Sequence, residues 1–421
     1  MNFFNEQRKI IALSSLGGML EYYDFITYGV FAIYFSKLFF PNNNSLVSIL
    51  AAYSIFFIGY IIRPIGGVIL SHIGDEYGRK RVMVITMVLM GISSFGIGIL
   101  PTYATIGIAA PILLLLFRIL QGLAFGGEIS CIIIYISETI SSKKARTMRL
   151  VFALMVSGLL IAMLLHLFLV HVLTMQQIVM FGWRIGFILG GLVCFISYQV
   201  RKKLYETNAF KNIKSKHKYP FVVLIRRHLA KVFIGIALIA SMAAASSMSI
   251  IFMPTYLVAF MKLSNQQVGN TIIVGLIAYI IAIYFSGYVL DKFEVTKVML
   301  VNLIILILMT PLAYWLLKIH FNLPLTLFLF NFCVGLVVTP AIMILAKLFP
   351  TNISLTGVAI SYNLGYILFA GVYTFLVVGL ITKFNHIFLI PVIAIWLIAL
   401  TSIYALMKYK KIINSTKPQN I

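Results

Sequence analysis

Apolar residues run along this chain in long blocks, each broken by a short polar or turn-forming cluster. The blocks lie near 11–36, 46–72, 82–100, 108–133, 150–173, 184–200, 232–259, 270–290, 298–317, 324–346, 355–380 and 387–407. Crossing a bilayer as a helix takes roughly 20 predominantly apolar residues, so the pattern predicts twelve transmembrane helices. Turn-like clusters separate several of them: Pro41-Asn42-Asn43-Asn44, Pro101-Thr102-Tyr103, Ser264-Asn265-Gln266-Gln267 and Pro350-Thr351-Asn352. The first block follows Arg8 and Lys9 as a secretory signal would. It continues past Glu21 and Asp24 without a small-residue cleavage site, so it reads as the first span. The chain is expected to be an all-α membrane protein.

Composition agrees with the pattern. Of 421 residues, 62% are hydrophobic and 10% charged, with a mean hydropathy of +1.04. A soluble domain lies nearer half apolar and a quarter charged, so little sequence is left for a separate soluble domain. The formal net charge is +23. In a soluble chain that would suggest nucleic acid, but here the basic residues fill the short breaks between apolar blocks, where they set topology. Placing both termini on one side collects Arg8, Lys9, Arg79-Lys80-Arg81, Lys143, Lys144, Arg146, Arg149, the central loop, Lys292, Lys297, Lys347, Lys408, Lys410, Lys411 and Lys417 there. The other side keeps only Lys37, Arg184, Lys262, Lys318 and Lys383. Both termini are therefore expected in the cytoplasm, with a lipid bilayer and no nucleic acid as partner. Cys131, Cys194 and Cys333 lie far apart in apolar runs and show neither metal spacing nor a disulfide framework.

One hydrophilic stretch, 201–231, divides the chain into an N-terminal six-helix bundle (1–200) and a C-terminal one (232–421) with a short tail. Gly287-Tyr288-Val289-Leu290-Asp291-Lys292 echoes Ser71-His72-Ile73-Gly74-Asp75-Glu76 at the corresponding place in the other half. Such internal repeats are a common transporter architecture. Gly74-Asp75-Glu76-Tyr77-Gly78-Arg79-Lys80-Arg81 resembles the loop signature of the major-facilitator superfamily. Ser71 stands where that signature begins with glycine, and Glu76 where a basic residue is usual. The C-half copy departs further, with Glu294, Val295 and Thr296 in place of its glycine and basic pair. The carboxylate of Asp75 suits a neighbouring helix N-terminus or an arginine, and such contacts would latch one state of a transport cycle. The expected gate comprises Asp75, Gly78, Arg79, Arg81, Glu138, Arg146 and Asp291, resting mainly on the N-half.

Charges within spans are costly and are functional candidates by default. Glu21, Asp24 and Tyr28 share one helical face. Two carboxylates so close resist simultaneous ionisation, which suits one to carrying a proton; the alternative is pairing with Arg63 or Arg118. Arg118, Gln121, Gly122 and Phe125 also share a face. The guanidinium of Arg118 offers a fork for a substrate carboxylate, or else pairs with an aspartate to join spans one and four. Glu128, about 15 Å further along the helix, reads as a gate partner or second proton site. Arg63, before Pro64 and the Gly66-Gly67 pair, reads as structural or gating. Tyr22, Tyr23 and Tyr256 are candidates to box an ammonium group, and Gln121, Tyr22, Tyr28, Phe125 and Tyr256 join Arg118 as substrate-binding candidates. His166 and His171 rank lower, as structural histidines.

Further stretches narrow the resemblance. They are Gly18-Met19-Leu20-Glu21-Tyr22-Tyr23-Asp24-Phe25, Arg63-Pro64-Ile65-Gly66-Gly67, Arg118-Ile119-Leu120-Gln121-Gly122 through Glu128 to Glu138, and Leu204-Tyr205-Glu206-Thr207-Asn208-Ala209-Phe210. Together they resemble the metabolite:proton symporter branch, dense over the first 210 residues and thin afterwards. That resemblance implies twelve helices in two bundles and secondary transport by alternating access. It also implies uptake of a small carboxylate-bearing solute such as proline or betaine, in a bacterial inner membrane. The same branch contains 2-oxoglutarate, citrate and shikimate carriers, and an exporter or exchanger of the same fold is a further alternative. No nucleotide, zinc or dinucleotide motif is present, so no enzymatic activity and no cofactor is expected. The driving force is expected to be a proton gradient, with sodium as the alternative, acting on a monomer.

Overall fold

The computed structural model describes residues 3–140, 144–213, 219–384 and 386–416; Lys143 and Lys417, counted above among the basic residues, lie outside these. Twelve long helices follow one another, with no strand among the described residues. They are α1 (Phe3–Phe39), α2 (Ser45–Tyr77), α3 (Arg79–Ile99), α4 (Ala109–Thr139) and α5 (Lys144–Val172). Then come α6 (Met175–Arg201), α7 (Pro220–Phe260), α8 (Asn265–Val289), α9 (Val295–Lys318), α10 (Leu323–Leu345), α11 (Thr351–Phe384) and α12 (Leu389–Thr416). Eleven are long and apolar enough to cross a membrane. Helix α1 is the twelfth, its apolar run interrupted by Glu21 and Asp24. The chain is an all-α, multi-pass membrane protein.

Several helix starts are capped by side chains, two of them from the turn clusters. Asn44 caps α2, its Oδ1 accepting from Leu46 N at 3.0 Å, and Thr174 and Gln177 form a reciprocal capping box at the start of α6. Ser264 and Asn322 cap α8 and α10. Each supplies an acceptor to a backbone N–H that has no partner inside its own helix. Several helices are not uniform. Wide π-helical turns occupy Ile178–Gly182 in α6, Ser247–Phe252 and Tyr256–Phe260 in α7, and Ile367–Val372 in α11. Helix α7 also breaks at His228, whose φ of −132° is not helical.

The chain forms two compact units. The first comprises Met1–Thr139 and Leu154–Lys218, and the second Ile140–Ala153 and Tyr219–Ile421. In the first unit, α2 and α4 meet backbone to backbone. A methyl group on Gly122 would overlap the Gly59 carbonyl, one on Gly126 the Arg63 carbonyl, and one on Gly66 the Leu123 backbone. Between transmembrane helices, such small-residue seams replace the hydrophobic drive that lipid does not provide. Beside the seam, Tyr28, Phe31, Phe35, Phe39, Trp183 and Phe187 build an aromatic core joining α1 to α6. Phe35 lies 5.2 Å from Trp183 and Tyr28 5.1 Å from Phe35, ring centre to ring centre.

Overfilling the seam is expected to cost about 1–3 kcal/mol. Gly122→Leu and Gly126→Val should each lower the thermal unfolding midpoint of the purified protein. Gly379→Ala, where an added methyl meets open space, should not; equal midpoints for all three would show that the seam does not hold α2 against α4.

Candidate functional site

The first unit gathers the charges that the sequence places on α1, α2 and α4. Glu21, Asp24, Arg63, Arg118, Gln121 and Phe125 line a narrow cavity of about 20 Å³, room for roughly one water. Asp24 is well held: the Ser94 hydroxyl donates to its Oδ2, and Gln121 Nε2 donates to the same oxygen at 3.3 Å. Gln121 in turn accepts from Arg118 NH1 at 2.6 Å. Asp24 and Arg118 are thus joined through the Gln121 amide. Among the described residues Arg118 forms no ion pair.

Aromatic faces cover both arginines. The Arg118 guanidinium lies 4.3 Å from the Tyr28 ring centre and 5.2 Å from that of Phe56. Arg63 lies 3.9 Å from Phe125 and 4.9 Å from Tyr60. A ring quadrupole attracts a cation most strongly when both are dry. Tyr28 is fixed under Arg118 by its hydroxyl, which donates to Ala52 O at 3.1 Å, and Tyr22 packs edge-on against Phe125 at 6.0 Å. Several atoms at this cavity lack a hydrogen-bond partner among the described residues: Arg118 Nε has no acceptor, and Asp24 Oδ1 and both oxygens of the fully buried Glu21 have no donor.

Glu128 has a different environment. Its carboxylate pairs with Arg201 on α6 at 2.5 Å and accepts from the Thr86 hydroxyl on α3. Arg201 also donates to Met83 O at 2.9 Å and Ser14 O at 3.4 Å. This pair is wholly buried and stitches α1, α3, α4 and α6 together. His166 is held at 3.1 Å by the Tyr34 hydroxyl, and His171 is exposed.

Asp75, Gly78 and Glu138, expected from the sequence as gate members, lie in a second network around Arg79, which is fully buried. Its Nε and NH2 reach both oxygens of Glu138 at 3.1 and 2.9 Å, the bidentate geometry that strengthens such pairs. NH2 lies 3.3 Å from Asp75 Oδ1, NH1 donates to Gly74 O at 2.8 Å, and the Phe210 ring covers the group at 4.8 Å. The Thr207 hydroxyl donates to Glu138 at 2.6 Å. Glu206 supplies what α3 lacks at its start, accepting from the Arg79 and Lys80 backbone N–H groups at 3.1 Å each. A carboxylate there meets both the open donors and the positive end of the helix dipole. Gly78 is required twice over: its φ is +111°, and a methyl group on it would overlap the Glu206 carboxylate. Arg81 stays exposed above the Tyr77 ring at 5.2 Å.

In the second unit, Asp291 pairs with Arg149 at 3.2 Å, and the guanidinium lies over Tyr284 and Tyr288 at 4.7 and 5.5 Å. Arg146, one turn earlier on α5, is exposed and forms no ion pair among the described residues. Tyr256 packs edge-on against Tyr314 at 5.5 Å and donates to Ile387 O at 3.1 Å. Two of the wide turns meet here: Ser247 on α7 donates to Ala370 O on α11 at 2.8 Å and accepts from Thr374 at 3.0 Å. Sequence reading missed Ser94, Thr86, Arg149, Arg201 and Glu206 as members of these networks. Ser94, a polar residue in an apolar block, carried a usable signal. Arg201 falls in the polar stretch, and Glu206 in the motif that carries the resemblance, neither with a role assigned from sequence.

Removing one contact from the Arg79 network should separate its parts. Asp75→Asn is expected to slow turnover while leaving the KM of the transported solute in place, whereas normal turnover would exclude Asp75 from the cycle. Glu206→Gln removes a charged cap, expected to cost about 1 kcal/mol of thermal stability, read as a lowered unfolding midpoint.

Comparison with known proteins agrees with this architecture. The "Inner membrane metabolite transport protein YhjE" of Escherichia coli K12 is 30% identical over 395 residues, covering 90% of this chain and 89% of that one. A "Putative proline/betaine transporter" of Staphylococcus aureus COL is 29% identical over 384 residues, covering 89% and 82%. Among solved structures, the proton:xylose symporter XylE of E. coli superposes with a TM-score of 0.80 at 13% identity, covering 97% of this chain and 96% of that one. The sequence profile of the Major Facilitator Superfamily matches residues 15–370. This chain is a transporter, not an enzyme, and it belongs to the major facilitator superfamily.

Proposed function

We propose that this protein is a proton-coupled symporter that takes up a small carboxylate-bearing solute, with proline and betaine as the first candidates. The observation that carries this reading is Arg118: a buried guanidinium with no carboxylate partner and a free Nε, beside two buried carboxylates. A solute carboxylate completes its hydrogen bonding with the fork geometry that arginine provides. The cavity is closed to a solute as it stands, so binding requires Arg118 to leave the Tyr28 and Phe56 faces. Glu21 supplies the coupling group. A bare ionised carboxylate without donors is costly to bury, and a bound proton removes that cost.

Charge counting favours a zwitterion over a polyanion. Arg63 and Arg118 balance Glu21 and Asp24 when both acids are ionised, and one protonation leaves a single net positive charge. From Val232 to Ser402 the only charged residues are Lys262, Asp291, Lys292, Glu294, Lys297, Lys318, Lys347 and Lys383, all at or beyond helix ends. A tricarboxylate would find no further cation within the spans of that half. The names of the relatives, a proline/betaine and a metabolite transporter, point the same way. In this reading two six-helix bundles, 1–200 and 232–421, joined by 201–231, work as a monomer in a bacterial inner membrane. Both termini face the cytoplasm, and the Arg79 network is the gate on that side.

Uptake by transport-deficient cells tests the proposal, using labelled proline, glycine betaine, 2-oxoglutarate, citrate and shikimate with and without a protonophore. Accumulation of one zwitterion, collapsed by the protonophore, is expected; protonophore-resistant or sodium-dependent uptake would remove the proton. An exporter or exchanger would show counterflow without net accumulation. Glu21→Gln and Asp24→Asn should keep counterflow and lose gradient-driven accumulation, and a variant that still accumulates solute acquits its residue of coupling. Arg118→Lys keeps the charge and loses the fork, so KM should rise about tenfold or more; an unchanged KM would place the solute elsewhere.

A further inference from the structure

Helices α3 and α6 leave a groove of about 490 Å³ on the first unit. Gly91 and Gly191 lie along it and put no side chain into it, while Ile92, Phe95, Leu192 and Phe195 form exposed apolar walls. From Met87 to Phe95 the groove follows α3 for about 12 Å at 1.5 Å per residue. The hydrocarbon depth of one leaflet is about 15 Å, half the usual core, so the groove is matched to a chain lying along the bilayer normal. Apolar grooves on a spanning helix pair always meet lipid. What distinguishes this one is the end at which it stops.

Tyr198 lines that end, and the Lys202 ammonium lies 4.3 Å above its ring. Lys203 follows, and Lys80 and Arg81 occupy the first turn of α3 at the same end of the pair. Exposed Tyr77, with Arg81 over it, joins Tyr198 in marking the level at which amphipathic rings sit among headgroups. Two carboxylates lie nearby: Glu206 is engaged by the backbone N–H groups of Arg79, Lys80 and Thr207, and Glu76 pairs with His72 at 3.2 Å. Four cations therefore stand at the end of an apolar groove, and the two acids near them already have partners, Glu206 at the helix start and Glu76 at His72. Basic residues at such a position attract anionic headgroups.

We propose that this groove is a binding site for an anionic phospholipid, one acyl chain lying between α3 and α6 and the phosphate among Lys80, Arg81, Lys202 and Lys203. The site is separate from the cavity between α1, α2 and α4 and does not depend on the transported solute.

Native mass spectrometry of the delipidated full-length protein tests it, by titration with phosphatidylglycerol and with phosphatidylcholine of the same acyl chains. Phosphatidylglycerol should be retained preferentially. The double substitution K202Q/K203Q, at two exposed positions that no helix packing uses, should weaken that retention by about tenfold. Ile92→Trp, which fills the groove and keeps every charge, should weaken retention of both lipids. Lys408→Gln removes a lysine that also lies over a tyrosine, Tyr404 at 5.3 Å, and should change nothing. Equal retention of the two lipids by the unsubstituted protein would overturn the proposal. So would wild-type phosphatidylglycerol retention in either K202Q/K203Q or Ile92→Trp.

Discussion

The interior of a bilayer has no water to offer a charge, so each ionised group on these helices has to be solvated by the chain itself. The first unit solves that problem in four ways. Asp24 is held by a hydroxyl and an amide, and Glu128 by a buried arginine. Arg79 is surrounded by two acids and a carbonyl. Arg63 and Arg118 lie on aromatic faces. These devices differ in how readily they come apart. The bidentate and wholly buried pairs are expensive to break, whereas a ring face releases its cation to any better acceptor. The exchangeable contacts surround the cavity, and the costly ones surround Arg79 and Arg201.

Much of this was legible in the sequence, for reasons particular elements make clear. The spans could be read because bilayer thickness imposes a minimum apolar length, and Asn44 and Ser264, both in the turn clusters, act as caps where the next helix begins. Helical spacing also put Glu21 with Asp24, and Arg118 with Gln121, on common faces. Spacing speaks only of one helix at a time, however. It could not show that Gln121 stands between Arg118 and Asp24, that Ser94 on α3 supplies the other donor, or that Arg149 rather than Arg146 meets Asp291. Nor could it show the wide turns in α7 and α11. They arise where Ser247, Ala370 and Thr374 bond between helices, a pairing that no local pattern announces.

The two units divide the chemistry unequally. Charges deep in the spans belong to the first, while the second presents hydroxyls, amides and rings: Ser246, Ser247, Asn302, Asn331, Tyr256 and Tyr314. In a carrier this separates two tasks. Energy coupling needs groups that change protonation, and recognition of a neutral or apolar part of a solute needs only shape and hydrogen bonding. A repertoire free of charge costs little to desolvate and can be altered without disturbing the charge balance around Arg118.

The glycine seam between α2 and α4 carries a consequence for how such a protein can diversify. Backbone resting on backbone has no side-chain slack, so the seam admits almost no variation, and the two helices behave as one stiff plank. Arg63 on one edge and Arg118 on the other are therefore kept in fixed register whatever the lineage does elsewhere. New preferences must arise on the faces turned away from the seam, where residues exchange freely. A rigid spine of this kind lets a descendant acquire a different cargo without relearning how to fold.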